Sequence, residues 1–272
     1  MLDLTASIVT YKDDPKILAQ SINSFLTVDL KVKLIVMDNS PSDDLKDVCG
    51  DPRIQYIFNG KNLGFGKAHN LAIRKVWEDS PFHLVLNPDI YFNGPTLNNL
   101  HQFMVKNPQV GLVMPKILNP DGTIQHLCKL LPTPGNLITR RFLKFHKPGV
   151  KRNNHKYELR FTSYDQIMDV PFLSGCFMFL RTDTLKEVGL FDERLFMYVE
   201  DTDLTRRIHR NYRTVFYPKA SVYHHYAKGS YKSLKLTFYN IISAIIYFNK
   251  YGWFWDRERE EINNIIIQNH LN

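Results

Sequence analysis

The sequence predicts an α/β fold with a mostly parallel, doubly wound sheet, on three observations. Short β-rich runs alternate with helical patterns through the first half of the chain. Two of those runs, 33–38 and 83–86, are almost entirely apolar, as strands covered on both faces must be. The length, 272 residues, gives a prior just under two at about 150 residues per domain, which one large α/β domain or two small ones both satisfy.

Each element follows from local chemistry. Residues 4–10 form the first strand. Asp14-Pro15 opens a helix carrying Ile17, Leu18, Ile22, Phe25 and Leu26 at helical spacing, with the proline suited to its first turn. Residues 33–38 (KLIVMD) are the second strand and 54–58 the third. A helix over 66–77 leads to a fourth strand, 83–86, which ends at Asn87-Pro88-Asp89. Gly94-Pro95 starts another helix, and 111–114 is a fifth strand. Residues 119–165 are rich in Pro, Asn, Lys and Arg with little periodicity, and read as a long, partly ordered excursion. A strongly apolar strand or strand pair follows at 170–181. After it come a helix from Thr182, a loop over 189–200, a helix over about 202–210, and two β-rich runs at 214–217 and 221–224. Two helices separated near Gly252 fill 234–268. The expected division is an α/β domain over 1–231, with a basic excursion at 140–165, and a C-terminal helical segment over 232–272.

Composition excludes collagen-like, disulfide-scaffold and disordered classes. The three cysteines, Cys49, Cys128 and Cys176, form no CxxC pair, and an odd count argues for a reducing cytosol. The first residues read as a strand rather than a secretory signal. No stretch reaches the roughly 18 apolar residues that span a bilayer. The net charge is +8, and 140–160 holds eight Lys/Arg against the single acid Glu158. Such a run is a solvated loop or a phosphate-facing surface. No nucleic-acid-binding signature accompanies it.

Parallel α/β sheets bind ligands at the carboxyl ends of their strands. Polar residues stand at three such ends: Thr10-Tyr11, Asp38-Asn39-Ser40 and Asn87-Pro88-Asp89. Each alone is an ordinary turn former; three at adjacent ends point to a ligand pocket. The turn after the first strand has no glycine, and Gly64-Phe65-Gly66 lacks a third, so a nicotinamide-binding Rossmann fingerprint is absent. A Walker-type phosphate loop, zinc spacing and a G-x-S-x-G nucleophile element are absent too.

The ordered set SIVTY (7–11), VMDNS (36–40), NLGFGKAHN (62–70), LNPDI (86–90), SGCFMFLR (174–181), GLFDERLFMYVEDTDLTRR (189–207) and VYHHYAKGS (222–230) resembles the family 2 glycosyltransferases of the GT-A fold. It is most similar to the rhamnosyltransferase-type members that build bacterial surface polysaccharides. The resemblance covers about residues 4–230. It implies that Asp38 recognises the base of a nucleotide-sugar, with Thr10 and Tyr11 lining that pocket and Asn62 and Gly64 turning into a helix beside it. It makes Asp89 a ligand of a divalent cation, Mg²⁺ or Mn²⁺, with Asn87 bonding ribose or sugar. Asn87 departs from the family's more common Asp. It assigns Asp201 as catalytic base, with Glu200 on the acceptor side. His224 becomes a metal or diphosphate contact, and Ser230 lies near the phosphates. Adjacent strand residues face opposite sides, so of His224 and His225 only one can enter the site.

The implied reaction is a single displacement with inversion that moves a sugar, L-rhamnose from dTDP-rhamnose being favoured, to a hydroxyl of a lipid-linked glycan. The implied location is cytoplasmic, peripheral at the inner membrane face. The aromatic, lysine-bearing C-terminal segment would meet the membrane interface, pack on the domain, or form a homodimer contact. Two rival readings stay open: a nucleotidyltransferase, and a non-catalytic nucleotide- or carbohydrate-binding module.

Overall fold

Among the described residues, 1–142, 148–225 and 234–271 of a computed structural model, nine strands form one mixed sheet. In chain order the elements are β1 (Leu4–Thr10), α1 (Pro15–Leu26), β2 (Val32–Asp38), β3 (Ile54–Phe58), α2 (Phe65–Val76), β4 (Phe82–Leu86) and β5 (Ile90–Tyr91). Then come α3 (Thr96–Lys106), β6 (Val110–Leu118), β7 (Cys128–Lys129), α4 (Pro134–Phe142), α5 (Pro148–Tyr157), β8 (Met168–Asp169) and β9 (Phe172–Leu173). The last are β10 (Phe177–Arg181), α6 (Thr182–Val188), α7 (Glu200–His209), β11 (Arg213–His224), α8 (Leu234–Tyr251) and α9 (Arg257–Leu271).

The sheet order is β3-β2-β1-β4-β10-β6-β11-β5, with β8 also on β11. Strands β3, β2, β1, β4, β6 and β11 run one way, while β10, β5 and β8 oppose them. Helices cover both faces. Leu34 and Val36 of β2 join the cluster that holds Leu18, Ile22 and Phe25 of α1. Ile35 and Met37 pack instead on Ala68, Ala72 and Val76 of α2. Alternate residues of one strand thus serve two helical layers, which is why the run is apolar throughout. The α1 start is as expected: Asp14 accepts a hydrogen bond from Lys16 N at 2.8 Å, and Pro15 occupies the first turn.

Three segments differ from the expectations. The aperiodic 119–165 stretch carries β7, α4 and α5; these are short, and much of their ordering comes from tertiary partners such as Asn263, which bonds both the N–H and C=O of Leu131. The two β-rich runs at 214–224 are one strand, β11, whose register against β6 jumps between Tyr217 and Ser221. Pro218 lies in that bulge, where its missing N–H costs no ladder bond. The helix expected at 202 begins at Glu200. Part of the basic run, 143–147, lies outside the described residues, as does Ser230.

Helices α8 and α9 close on α7 through a buried ion cluster. Arg206, 1% exposed, makes paired 2.7 Å bonds to both carboxylate oxygens of Asp256. It also bonds Glu258 and lies 4.0 Å over the Tyr251 ring. One turn earlier, Asp203 accepts from Arg207, Lys250 and Tyr251. No helix among the described residues is long and apolar enough to cross a membrane.

Removing one partner of a buried, hydrogen-bonded ion pair strands the other, at about 3–5 kcal/mol. Arg206→Ala should lower unfolding free energy by about that amount in urea titration. Pairing it with Asp256→Asn should recover part of the loss, because the stranded charge is gone.

Candidate active site

The carboxyl ends of the parallel strands open into two adjoining cavities, one of about 670 Å³ and one of about 460 Å³. Phe65, Asn87 and Met197 line both. The larger is walled by Tyr11, Asp13, Asn39, Asn62, Gly64 and Asp89, among others.

Sheet register builds this first wall. Thr10 pairs with Asp38, and Asp38 with Phe58, so three strand ends lie side by side. Thr10 and Asp38 are fully buried and do not line the cavity. Asp38 accepts from Ser40 N at 2.8 Å and from the Tyr56 hydroxyl at 2.6 Å. Thr10 donates to Asp13 at 2.7 Å. Both side chains therefore shape the turns that present Tyr11, Asp13 and Asn39. Burial raises the Asp13 pKa; the Thr10 hydroxyl bond opposes the rise, and the charges of Asp89 and Asp38 add to it. Asn62 accepts from Gly64 N at 2.9 Å, closing the turn into α2. Gly64 has φ of +81°, and a Cβ there would stand 2.4 Å from the Phe196 carbonyl oxygen, so only glycine fits.

Asp89 and His224 meet across the β5–β11 pairing, which places Tyr223 opposite Tyr91 and His224 opposite Ile90. His224 Nε2 lies 3.3 Å from Asp89 Oδ1. Gln125 fixes the ring: its amide nitrogen donates to Asn119 Oδ1 and to the His224 carbonyl, which turns its oxygen toward His224 Nδ1 at 2.9 Å. That contact orients the imidazole so that Nε2 is presented to Asp89. His225 points elsewhere, packing on Tyr91 and bonding Gln20. Among the described residues, no three His, Cys, Asp or Glu side chains converge on one point. One carboxylate and one imidazole still fit a divalent cation that takes its other ligands from phosphates and water.

The smaller cavity is walled by Glu200, Asp201, Lys129, Tyr157, Ser174 and Gly175, among others. Asp201 accepts from Gly175 N at 2.9 Å and from Thr202 N at 2.8 Å. Burial raises its pKa; Lys129 and the two N–H bonds oppose the rise. Glu200 is 5% exposed and its Oε2 has no partner among the described residues. Burial, then the neighbouring Asp201 charge, holds its pKa well above the usual carboxylate range. Immediately before the pair, Tyr198 and Val199 have φ of +73° and +68°. A β-branched residue rarely adopts that conformation, and such strain gathers at functional sites.

The sequence model of the family described as glycosyltransferase-like family 2 matches residues 3–240. The chain belongs to glycosyltransferase family 2. It is 28% identical over 236 residues to an N-acetylglucosaminyl-diphospho-decaprenol L-rhamnosyltransferase of Mycobacterium tuberculosis, covering 82% of this chain and 76% of that one. It is 27% identical over 204 residues to the rhamnosyltransferase WbbL of Escherichia coli, covering 73% of each. Among solved structures, a mannosyltransferase of Pyrobaculum calidifontis in complex with GDP-mannose and Mn²⁺ superposes with a TM-score of 0.59 at 16% identity. That likeness covers 85% of this chain and 59% of that one, so this chain spans about three fifths of its neighbour's length. The expected fold, GT-A with a central sheet flanked by helices, is the one observed.

The structure thus brings Tyr11, Asn62, Gly64, Asn87 and Asp89 to one cavity wall, joins His224 to Asp89, and sets Glu200 and Asp201 in the adjoining cavity. Sequence reasoning passed over Asp13, Lys129 and Gln125. Asp13 was overshadowed by its neighbour Asp14, the helix cap. Lys129 and Gln125 lie in the aperiodic stretch, where no spacing marks them.

Glu200 carries a stability cost wherever it is ionised. Its folded pKa is raised, so its contribution is most favourable below the unfolded value of about 4.3 and is lost as pH rises through the folded one. Glu200→Gln should therefore be more stable than wild type at pH 8 in urea titration, and the difference should vanish near pH 4.

Proposed function

We propose that this glycosyltransferase moves L-rhamnose from dTDP-rhamnose to a hydroxyl of a lipid-linked glycan, in one displacement that inverts the anomeric centre. The observation that carries the reading is the junction of two cavities at Asn87, with Asp89 in the first and Asp201 in the second. The donor occupies the larger cavity. Tyr11 and Asn39 face its base, with Thr10 and Asp38 holding their turns, and Asn62 and Gly64 let the backbone approach. Asn87 bonds the sugar or ribose at the junction. Rhamnose and a lipid-linked acceptor are favoured because the relatives at 27–28% identity include rhamnosyltransferases, one of them named for a diphospho-decaprenol substrate.

Asp201 accepts the proton of the attacking hydroxyl. Its hydrogen bonds to Gly175 N and Thr202 N hold the carboxylate toward the cavity. Burial raises its pKa, which makes it a better base than a solvated aspartate. Glu200 lines the same cavity on the acceptor side. Asp89 and His224 would hold Mg²⁺ or Mn²⁺, whose charge, when bound, offsets that building on the departing nucleoside diphosphate. Ser230, near the phosphates in this reading, lies outside the described residues. The enzyme works at the inner membrane face, where the exposed Leu234, Phe238 and Trp255 meet lipid.

Incubation with a panel of nucleotide-sugars, Mg²⁺ or Mn²⁺, and lipid-linked acceptors tests the reaction. Turnover is expected with dTDP-rhamnose; UDP-glucose turnover in its place would refute the sugar alone. Asp201→Asn should lose about 10²–10⁴-fold in kcat while retaining donor binding by calorimetry, since general-base assistance is of that size. A non-catalytic binding module would show no turnover for the substitution to remove. Chelation by EDTA should abolish turnover, and Mg²⁺ or Mn²⁺ should restore it in wild type but require higher concentrations in Asp89→Asn.

A further inference from the structure

A third cavity, of about 390 Å³, opens beside the catalytic one between α4 and α8. Its walls are Pro134, Ile138, Ile241, Ala244, Ile245 and Trp253, with Phe248 beneath. Asn240 is the only polar residue lining it among the described residues. Its size falls in the range of small-ligand sites, about 300–1,000 Å³.

Two features set it apart from an ordinary exposed apolar face. First, it continues into the acceptor cavity: Leu137 and Asn240 line both. Second, its walls are held in place. Trp253 packs on Phe248 with ring centroids 5.3 Å apart and donates its indole N–H to Asn249 at 2.8 Å. The first turn of α4 is pinned by reciprocal bonds between Thr133 and Asn136. Yet Ile138, Ile241 and Ile245 remain 53%, 41% and 41% exposed. Aliphatic surface left open in a fixed concave wall, one residue from a catalytic carboxylate cavity, calls for an apolar occupant.

Continuity decides which occupant. A molecule filling both cavities must present a hydroxyl at Asp201 and hydrocarbon at Ile241 and Ile245. A second copy of this chain would need a far larger surface, about 1,200 Å² or more in total, and has no reason to enter the sugar cavity. We propose that this groove is the binding site for the hydrocarbon tail of the acceptor, its first branched units lying along α8 while the glycan head reaches Asp201. The proposal rests on the glycosyl-transfer reading above and adds to it where the tail is held. The groove then contributes to acceptor affinity by burying apolar area, and discriminates tailed from tail-less glycans.

The test is calorimetric titration of the full chain with farnesyl diphosphate and, as the tail-less probe, inorganic diphosphate. Farnesyl diphosphate should bind at least tenfold more tightly. Ala244→Phe, which fills the groove, and Ile241→Ser, which wets it, should each erase most of that advantage and leave inorganic diphosphate binding unchanged. Ile241 is exposed enough that its variant tests the groove even if the Ala244 variant fails to fold. Equal binding of the two probes by wild type would overturn the proposal. So would variants that keep full farnesyl diphosphate affinity, whether or not they lose sedimentation with phosphatidylglycerol vesicles or self-association, since the groove would then serve a bilayer or a second copy. Titration of a nucleoside diphosphate with Mn²⁺ on the same samples reads the donor site separately, so a failed transfer reading and a failed tail site give different results.

Discussion

The placement of one carboxylate pair, Glu200 buried and Asp201 half-buried, governs the rest of the structure. Glu200 and Asp201 begin α7 directly after two residues in left-handed backbone, Tyr198 and Val199. Neither conformation is stable alone: the strain costs on the order of 1–3 kcal/mol per residue, and burying the acids raises both pKa values. The compensation comes from α8. Tyr247 and Phe248 enclose Val199, Ser243 donates to the Met197 carbonyl at 2.9 Å, and Tyr239 packs on Phe196 at 4.3 Å. The helix dipole favours acids in the first turn, and the charge of Lys129 on β7 favours ionised Asp201. The C-terminal helices are therefore part of the site's support, and the ion pairs of Arg206, Arg210 and Asp203 hold them against α7.

The larger cavity follows a different logic, that of sheet register. Side-by-side strand ends fix Thr10, Asp38 and Phe58, and the short antiparallel β5 carries Asp89 back across the edge to His224. A one-residue slip in that pairing would turn His224 out and bring His225 in. Two further contacts guard against it: His225 N donates to the Asp89 carbonyl at 3.0 Å, and Gln125 grips the His224 carbonyl. Between the two cavities stands Asn87, whose N–H donates to the Cys176 carbonyl at 2.9 Å, tying the end of β4 to the segment that also carries Gly175.

This division explains what the sequence made legible. Buried parallel strands are β-rich and largely apolar and end in turn formers, so β1, β2, β4 and the residues at their tips could be read directly. Glu200-Asp201 stood out as an acidic helix start, although the helix begins two residues earlier than expected, because left-handed Val199 provides the entry that no capping residue announces. Asp38 and Thr10 were legible as strand-end residues but not as buried ones: their partners, Tyr56 and Asp13, are set by tertiary packing. The 119–165 stretch hid most. Its helices are too short to show a period, and Gln125, Lys129 and Leu137 gain meaning only from His224, Asp201 and Asn240, each more than seventy residues away.

Helix α8 shows why such a segment resists a single label. One face buries Ser243, Tyr247 and Phe248 against the loop that leads into α7, while the other leaves Ile241, Ile242 and Ile245 partly open. Apolar residues on both faces blur the helical pattern that would separate core from surface. The two faces are nevertheless coupled. Phe248 packs under Val199 on one side and floors the apolar groove on the other. Any molecule seated in that groove presses on the same side chain that holds the strained entry to α7, so occupancy of the groove and the position of Asp201 share one physical support.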